Sequence, residues 1–290
     1  MNRLSLALLV GAPVLVSCGN TTPPTITQLN LDRPTDVAFA CYGDLRLTGG
    51  TRKGDAKDPV QVSAQPTESC EAWSRDPAVV PLGQENIDGA IALRTPQWFG
   101  LILQPTAGTV ALAQFDAKAP SAFTGGDTQF GSADVNVLDA DLLTPGKNSL
   151  AIADQPVAIA TDHLGCFAVT ANAGTCDLST IELGSVLDRD PATPPQLARI
   201  DVTIGAGAMA KPILSRPAAL VAAPQTTRIG NACPATPTGL AYIAYPSCNL
   251  VAGVDLATGQ VKVAIDLSSG APQVKTDAAL DAISCPMECV

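Results

Sequence analysis

The sequence predicts an all-β fold, an array of four-stranded antiparallel meanders, and three observations predict it. Apolar runs of about five residues alternate with turn residues, which is the pattern of short strands in meanders. The 24 Gly and 24 Pro are spread along the chain as punctuation between those runs, not pooled in linkers. Four segments also share one grammar: a short strand that usually follows a proline, a second strand, a turn and a third strand. Aromatic residues make up only 4% of the chain, so Ala, Val, Leu and Ile must carry the core. Such side chains suit closely stacked sheets. A β-sandwich is the alternative built from the same strands.

Each element follows from that grammar. The first copy covers residues 33–41, led by Arg33-Pro34, and degrades beyond Gly50. The second places strands at 88–94, 98–103 and 109–115, with a turn at 105–108. The third runs from Gln155-Pro156 to Leu183, and the fourth from Arg216-Pro217 to Ile265. Proline at the first position of a strand removes no ladder hydrogen bond. Asp255-Leu256-Ala257-Thr258-Gly259 predicts the tight turn between the third and fourth strands of the last copy. Beyond it, Val261, Val263 and Ile265 alternate with Lys262 and Ala264, so one face is expected to be buried. Copies start about 55–70 residues apart, longer than the ~40–50 of a compact β repeat, so loops are inserted. The longest spans 49–84 and holds Cys70 and Trp73; another lies at 191–195, and a degenerate copy is expected within 124–143.

The chain begins with a positive charge, Arg3, followed by an uncharged apolar run over 4–16 and then Ser17-Cys18. This is the layout of an export leader. The run falls short of the ~20 residues a membrane span needs, and Pro13 interrupts it. Leu15-Val16-Ser17-Cys18 resembles the lipobox of bacterial lipoproteins. That resemblance implies cleavage before Cys18, a diacylglycerol on its sulfur and an acyl chain on the new amino terminus. Gly19 stands where Asp would imply inner-membrane retention in enterobacterial lipoproteins, so an outer-membrane address is expected, facing the periplasm or the cell surface. The organisation read from this is a leader at 1–17, a polar tether at 18–28, a repeat domain at 29–270 and a cysteine-containing tail at 271–290.

Charge and cysteine content bound the function. The chain carries 17 Lys and Arg against 27 Asp and Glu, a net charge of −10, and loss of Arg3 with the leader deepens the deficit. Without a basic run there is no electrostatic footprint for nucleic acid. Nine cysteines leave an even eight once Cys18 is lipidated: Cys41, Cys70, Cys166, Cys176, Cys233, Cys248, Cys285 and Cys289. An even set in an exported chain points to disulfides. Pairing by sequence neighbours gives Cys41–Cys70, Cys166–Cys176, Cys233–Cys248 and Cys285–Cys289. The turn signal at Asn172-Ala173-Gly174 places Cys166 opposite Cys176 across a hairpin. Zinc needs tight cysteine pairs or histidines, and the one histidine is His163. No metal and no cofactor is expected.

The grammar resembles the YVTN-type β-propeller repeats of bacterial surface and periplasmic proteins over about residues 29–268. Residues 239–265 fit that pattern well, and 164–183 fit with Asn172 at the family's asparagine position. The resemblance implies a propeller-like array of four-stranded blades with about four recognisable copies, fewer than the six to eight usual in relatives: either degenerate blades go uncounted, or the ring is incomplete, or the chain is a piece of a longer one. It also implies rigid loops that present a binding surface to envelope or surface proteins or glycans. Asp162 and His163, adjacent in the third copy, are the weak site candidates, a base with an orienting carboxylate; the plainer reading is an exposed turn. No Gly-x-Ser-x-Gly elbow is present. Asp134, Asp139 and Asp141 lack the Gly and Glu of a calcium loop. The expected function is a non-enzymatic binding or scaffold module, anchored by lipid. The alternatives are a propeller enzyme, lactonase-like or dehydrogenase-subunit-like, with a carboxylate or metal site in the central channel, and a structural component of envelope assembly.

Overall fold

Turn residues cut the apolar runs into short strands, and each run pairs with the next. The computed structural model describes residues 31, 33–44, 62–64, 70, 97–116, 134–138, 149–187, 195–205, 207–223 and 233–289. In chain order the strands are β1 (Asp36–Asp44), β2 (Val62–Ala64), β3 (Gln97–Gln104), β4 (Thr109–Asp116), β5 (Asp134–Leu138) and β6 (Ser149–Ala151). Then come β7 (Pro156–Thr161), β8 (Phe167–Asn172), β9 (Asp177–Glu182), helix α1 (Leu183–Leu187), β10 (Leu197–Ile200), β11 (Thr203–Ile204) and β12 (Lys211–Pro212). The last are β13 (Ala219–Ala222), β14 (Leu240–Tyr245), β15 (Leu250–Asp255), β16 (Val261–Asp266) and β17 (Gln273–Thr276).

Strand pairing is antiparallel and mostly sequential. A first sheet runs β2-β1-β3-β4-β5, with β6 also on β4; a middle sheet runs β7-β8-β9-β10; a last sheet runs β13-β14-β15-β16-β17. β11 and β12 form a small ribbon. The all-β expectation holds, but the copies are arranged differently. β1, the whole of the first copy, pairs with β3 of the second. The two copies therefore build one sheet, because the insertion between them separates β1 from its own neighbours in sequence only. The degenerate copy expected near 124–143 contributes β5, which pairs with β4. The stretch expected as a tail opens with β17, which pairs with β16 as the fifth strand of the last sheet.

The three large sheets are structural repeats of one another. In each, one hairpin (β3–β4, β8–β9 and β14–β15) is joined by a four-residue turn, flanked by the facing pairs Gln104 and Thr109, Asn172 and Asp177, or Tyr245 and Leu250. The last turn residue is left-handed every time: Gly108 at φ 64°, Cys176 at φ 55° and Asn249 at φ 50°. Gly fits that conformation freely, Asn tolerates it, and Cys is strained there. Cys176 is held by its disulfide. The flanking pairs differ in chemistry but all hold the hairpin. Gln104 donates to Thr109. Asn172 Nδ2 donates to Asp177 Oδ1 at 2.8 Å and to Ser179 Oγ at 2.9 Å, while Thr170 donates to Asn172. Tyr245 and Leu250 are buried, and burial pushes the Tyr245 phenol well above its ordinary value.

Facing follows the repeat. Leu101, Leu103, Val110 and Leu112 of the first sheet pack with Ile159, Phe167, Ala168 and Ile181 of the middle sheet. From its other face the middle sheet sends Ala158, Val169, Ala171 and Leu178 against Leu220, Ile243, Ala252 and Ala264 of the last sheet. β8 is buried along its whole length for this reason. One sequence expectation fails locally. The register between β15 and β16 shifts between Gly253 and Val254, leaving Lys262 as the extra residue. A bulge flips the phase of everything beyond it. Val261 and Ala264 are buried, while Val263 and Ile265 are half-exposed.

Four disulfides staple these sheets, and only Cys41–Cys70 follows sequence neighbours. The others are Cys166–Cys233, Cys176–Cys289 and Cys248–Cys285. Cys166 and Cys176 flank β8 at opposite ends, and six residues of strand span about 20 Å, far beyond disulfide reach. Cys233 and Cys248 bracket β14 in the same way. Cys285 and Cys289, close in sequence, go to different sheets. The tail between them lies across the middle and last sheets at their second turns. There the Glu288 and Cys289 amides donate to Leu214 O at 2.8 and 3.1 Å, and Ser215 Oγ donates to Pro286 O. The Glu288 carboxylate takes the Arg216 N–H at 2.7 Å and the Ser247 hydroxyl at 3.0 Å. These donors, Arg216 first, hold its pKa below the ordinary glutamate range. In the same sheet Lys275 donates to Asp266, joining β17 to β16 and lowering the Asp266 pKa.

Non-reducing peptide mapping is expected to recover Cys176 linked to Cys289 and Cys166 linked to Cys233. Replacing Cys176 and Cys289 together by Ser is expected to cost about 2–5 kcal/mol in chemical denaturation. A lowered carboxyl pKa supports the docked tail above the ordinary glutamate range and releases it as pH falls through the lowered value. Amide exchange at Glu288 and Cys289, corrected for intrinsic rate, should therefore lose protection on acidification, and Glu288→Gln should flatten that dependence.

Candidate functional site

The first strands of the three sheets, each following an X-Pro pair, converge. β1 and β13 lie beside β7, and together they wall an open cleft of about 360 Å³. Its lining is apolar apart from Asp36 and Thr161, with Val37, Phe39, Ile159 and Val221 among the wall residues. Val37, Phe39 and Val221 border it and are 42%, 45% and 64% exposed, Val37 and Phe39 on the same face of their sheet as Ile102 and Val221 on the same face as Tyr242. Phe39 is oriented by an edge-on contact with Trp98 at 6.3 Å. The carboxylate of Asp36 is fixed by backbone donors: Oδ1 takes the Val37 N–H and Oδ2 takes the Ile159 N–H, each at 2.9 Å. That second bond ties the first strand of one sheet to the first strand of the next. An apolar hollow with one anchored acceptor is the lining expected of a binding site. Sequence reading missed these residues as a site. The signal was present in the prolines, since each lining strand is the one a proline introduces.

Asp162 and His163 sit in the turn after β7, and the structure gives Asp162 a different task from chemistry. It is fully buried. Its Oδ1 accepts the Cys166 and Phe167 amides at 2.7 and 3.0 Å, closing its own turn. Its Oδ2 accepts the Thr238 amide at 3.0 Å and the Thr238 hydroxyl at 3.2 Å. Thr238 belongs to the loop that enters β14, so the carboxylate bridges the middle and last sheets. Four donors, two of them from another sheet, make it a structural pin. The His163 amide donates to Thr238 O at 3.3 Å, and Gly239 packs so closely that a Cβ there would lie 2.5 Å from the His163 Cβ. Cys166–Cys233 closes the same junction. Asp162 is thus a buried inter-sheet clamp, while His163 beside it is half-buried in the turn. Thr238 was not legible as its partner, being 76 residues away.

At the far end of the middle sheet, Asp177 joins the Asn172 network and reaches Arg199 across 3.4 Å. Asp177 and Arg199 stabilise β9 against β10 and lie apart from the cleft residues.

Cys18, Trp73, Asp139 and Asp141 lie outside the described residues, and so does the side chain of Asp134. Among the described residues there is no grouping of three or more His, Cys, Asp or Glu that could hold a metal ion. No helix among them is long and apolar enough to cross a membrane. No family model, curated protein or solved structure matches this chain.

Asp162→Ala is expected to destabilise the fold by ~3 kcal/mol or more, because it orphans buried amides that donate to a carboxylate. Gly239→Ala is expected to destabilise as well, since Gly239 has φ 86° and no room for a Cβ beside His163. Thermal melts of both variants check the assignment, and an unchanged melt for Asp162→Ala would return it to the list of free functional groups.

Proposed function

We propose that this chain is a lipid-anchored, propeller-like binding module of the cell envelope, which takes its ligand in the cleft between the first strands. The observation that carries this reading is the convergence of β1, β7 and β13 on an apolar hollow with Asp36 as its anchored acceptor. The three sheets repeat in turn geometry and in facing, as the blades of a ring do, which supports reading the hollow as one sector of a channel. Rigid walls favour a pre-formed site, and exposed Phe and Val side chains favour an apolar protein segment or the apolar face of a glycan. The one acid–base pair suggested by sequence is occupied in holding sheets together, which supports binding over catalysis. Lipid on Cys18 and placement on the outer membrane belong to the same proposal, on the lipobox residues. The bilayer is then the first partner, through acyl chains rather than through the acidic domain.

Metabolic labelling is expected to place a fatty acyl chain on the wild type and none on Cys18→Ala. Phe39→Ala and Val221→Ala shave the cleft without touching the clamps. Each is expected to leave the melt unchanged and to weaken capture of partners from detergent-solubilised envelope about tenfold, the scale of a lost buried apolar contact. Lactone hydrolysis by the purified protein, with or without added divalent metal, would favour the propeller-enzyme alternative instead.

A further inference from the structure

The outer faces of the first and last sheets are the two halves of an interface the chain already contains twice. Within the chain, the face carrying Val169 and Leu178 on the middle sheet packs against the face carrying Ile243 and Ala252 on the last. By the hairpin register, Tyr242 and Val251 of the last sheet hold the positions of Val169 and Leu178. They stand on its outer face. Tyr242 is 40% exposed, Val274 in the same sheet 71%, and Val251, Val263 and Ile265 are half-buried. By the same register, Ile102 of the first sheet holds the position of Ile243. It too lies on an outer face, half-buried beside exposed Val37 and Phe39.

We infer that a second copy of this chain docks head to tail, its first sheet on the last sheet of its neighbour, and that two copies close a ring. The occupant is argued from continuity with the existing interfaces. The first sheet offers the kind of face the last sheet lacks, and the last offers the kind the first lacks. A heterologous contact of this sort closes a ring when its rotation divides the circle. The three large sheets among the described residues give six for a pair, inside the ~4–8 of known rings, while a third copy would exceed it. Rotation about the ring axis puts both copies the same way up, so two lipid tethers reach one leaflet. The cleft is then completed, since the first strands of the second copy supply its open side. This inference rests on reading the sheets as blades, and does not depend on what the cleft binds.

The test uses the full-length lipoprotein in detergent, its protein mass measured by light scattering with the detergent subtracted. Two copies per particle are expected. Ile102→Glu and Tyr242→Lys alter opposite faces, and neither residue lines the cleft. Each alone is expected to give a particle of half the mass, because both contacts of the pair are spoiled. Mixing the two variants is expected to restore the pair, one contact then carrying Glu against Lys and the other unaltered. Circular dichroism and thermal melts confirm that each variant is folded. Val274→Lys, on the exposed outer strand and on the same face as Tyr242, serves as a second last-sheet variant. A wild type of single mass at all concentrations overturns the inference. So does a pair that neither variant disturbs, a mixture that fails to reassemble, or growth into longer chains. Loss of partner capture by Phe39→Ala with the paired mass intact would concern only the cleft.

Discussion

Burial of the middle sheet on both faces is the constraint on which the rest depends. A sheet sandwiched between two others has no solvent side, so its strands lose the polar and apolar alternation of a half-exposed meander. β8 reads Phe167-Ala168-Val169-Thr170-Ala171-Asn172, buried throughout. Close stacking of sheets about 10 Å apart leaves little room for large rings, which accounts for a core of Ala, Val, Leu and Ile. Polar groups caught inside must then be satisfied internally. The Thr170, Asn172, Asp177 and Ser179 network does this at one end of the middle sheet, and Asp162 does it at the other.

The joint between the middle and last sheets shows how a chain of low charge and few aromatics secures such stacking. Asp162, Thr238 and Cys166–Cys233 close one end. The tail, with Glu288 and two disulfides, closes the other. Between them lies a contact of aliphatic side chains that by themselves specify register weakly. Directional bonds at both ends supply what the aliphatic contact lacks. The joint between the first and middle sheets has the Asp36 to Ile159 bond instead.

Strand identity was legible wherever turn residues framed an apolar run, as at Pro246 to Asn249 and Asp255 to Gly259. Sheet membership was less so. β1 and β3 are separated by a long insertion, and nothing in Arg33 to Cys41 says which later strand completes it. Alternation was a sound guide up to Lys262, where a bulge reversed it; the close fit of Gly253 against Val263 is a three-dimensional fact with no sequence signature. Disulfide partners were illegible for a geometric reason. In a meander, consecutive turns lie at opposite ends of a strand, so neighbouring cysteines placed in consecutive turns are kept apart by that strand. Asp162 was visible as a residue in an informative place, but its role depended on Thr238, and local sequence does not contain distant donors. The cleft was hidden because its walls are the plainest strands in the chain.

The position of Cys289 also governs the order in which the molecule can mature. Its partner Cys176 precedes it by 113 residues, so this link forms only after both are made. Synthesis from the amino terminus makes Cys166, Cys176 and Cys233 before Cys285 and Cys289. Cys166 and Cys176 are then the nearest thiols in sequence, and the fold needs them apart. Thiol–disulfide exchange must undo or forestall that early pair. Oxidative folding of this chain therefore depends on thiol exchange as well as on an oxidant.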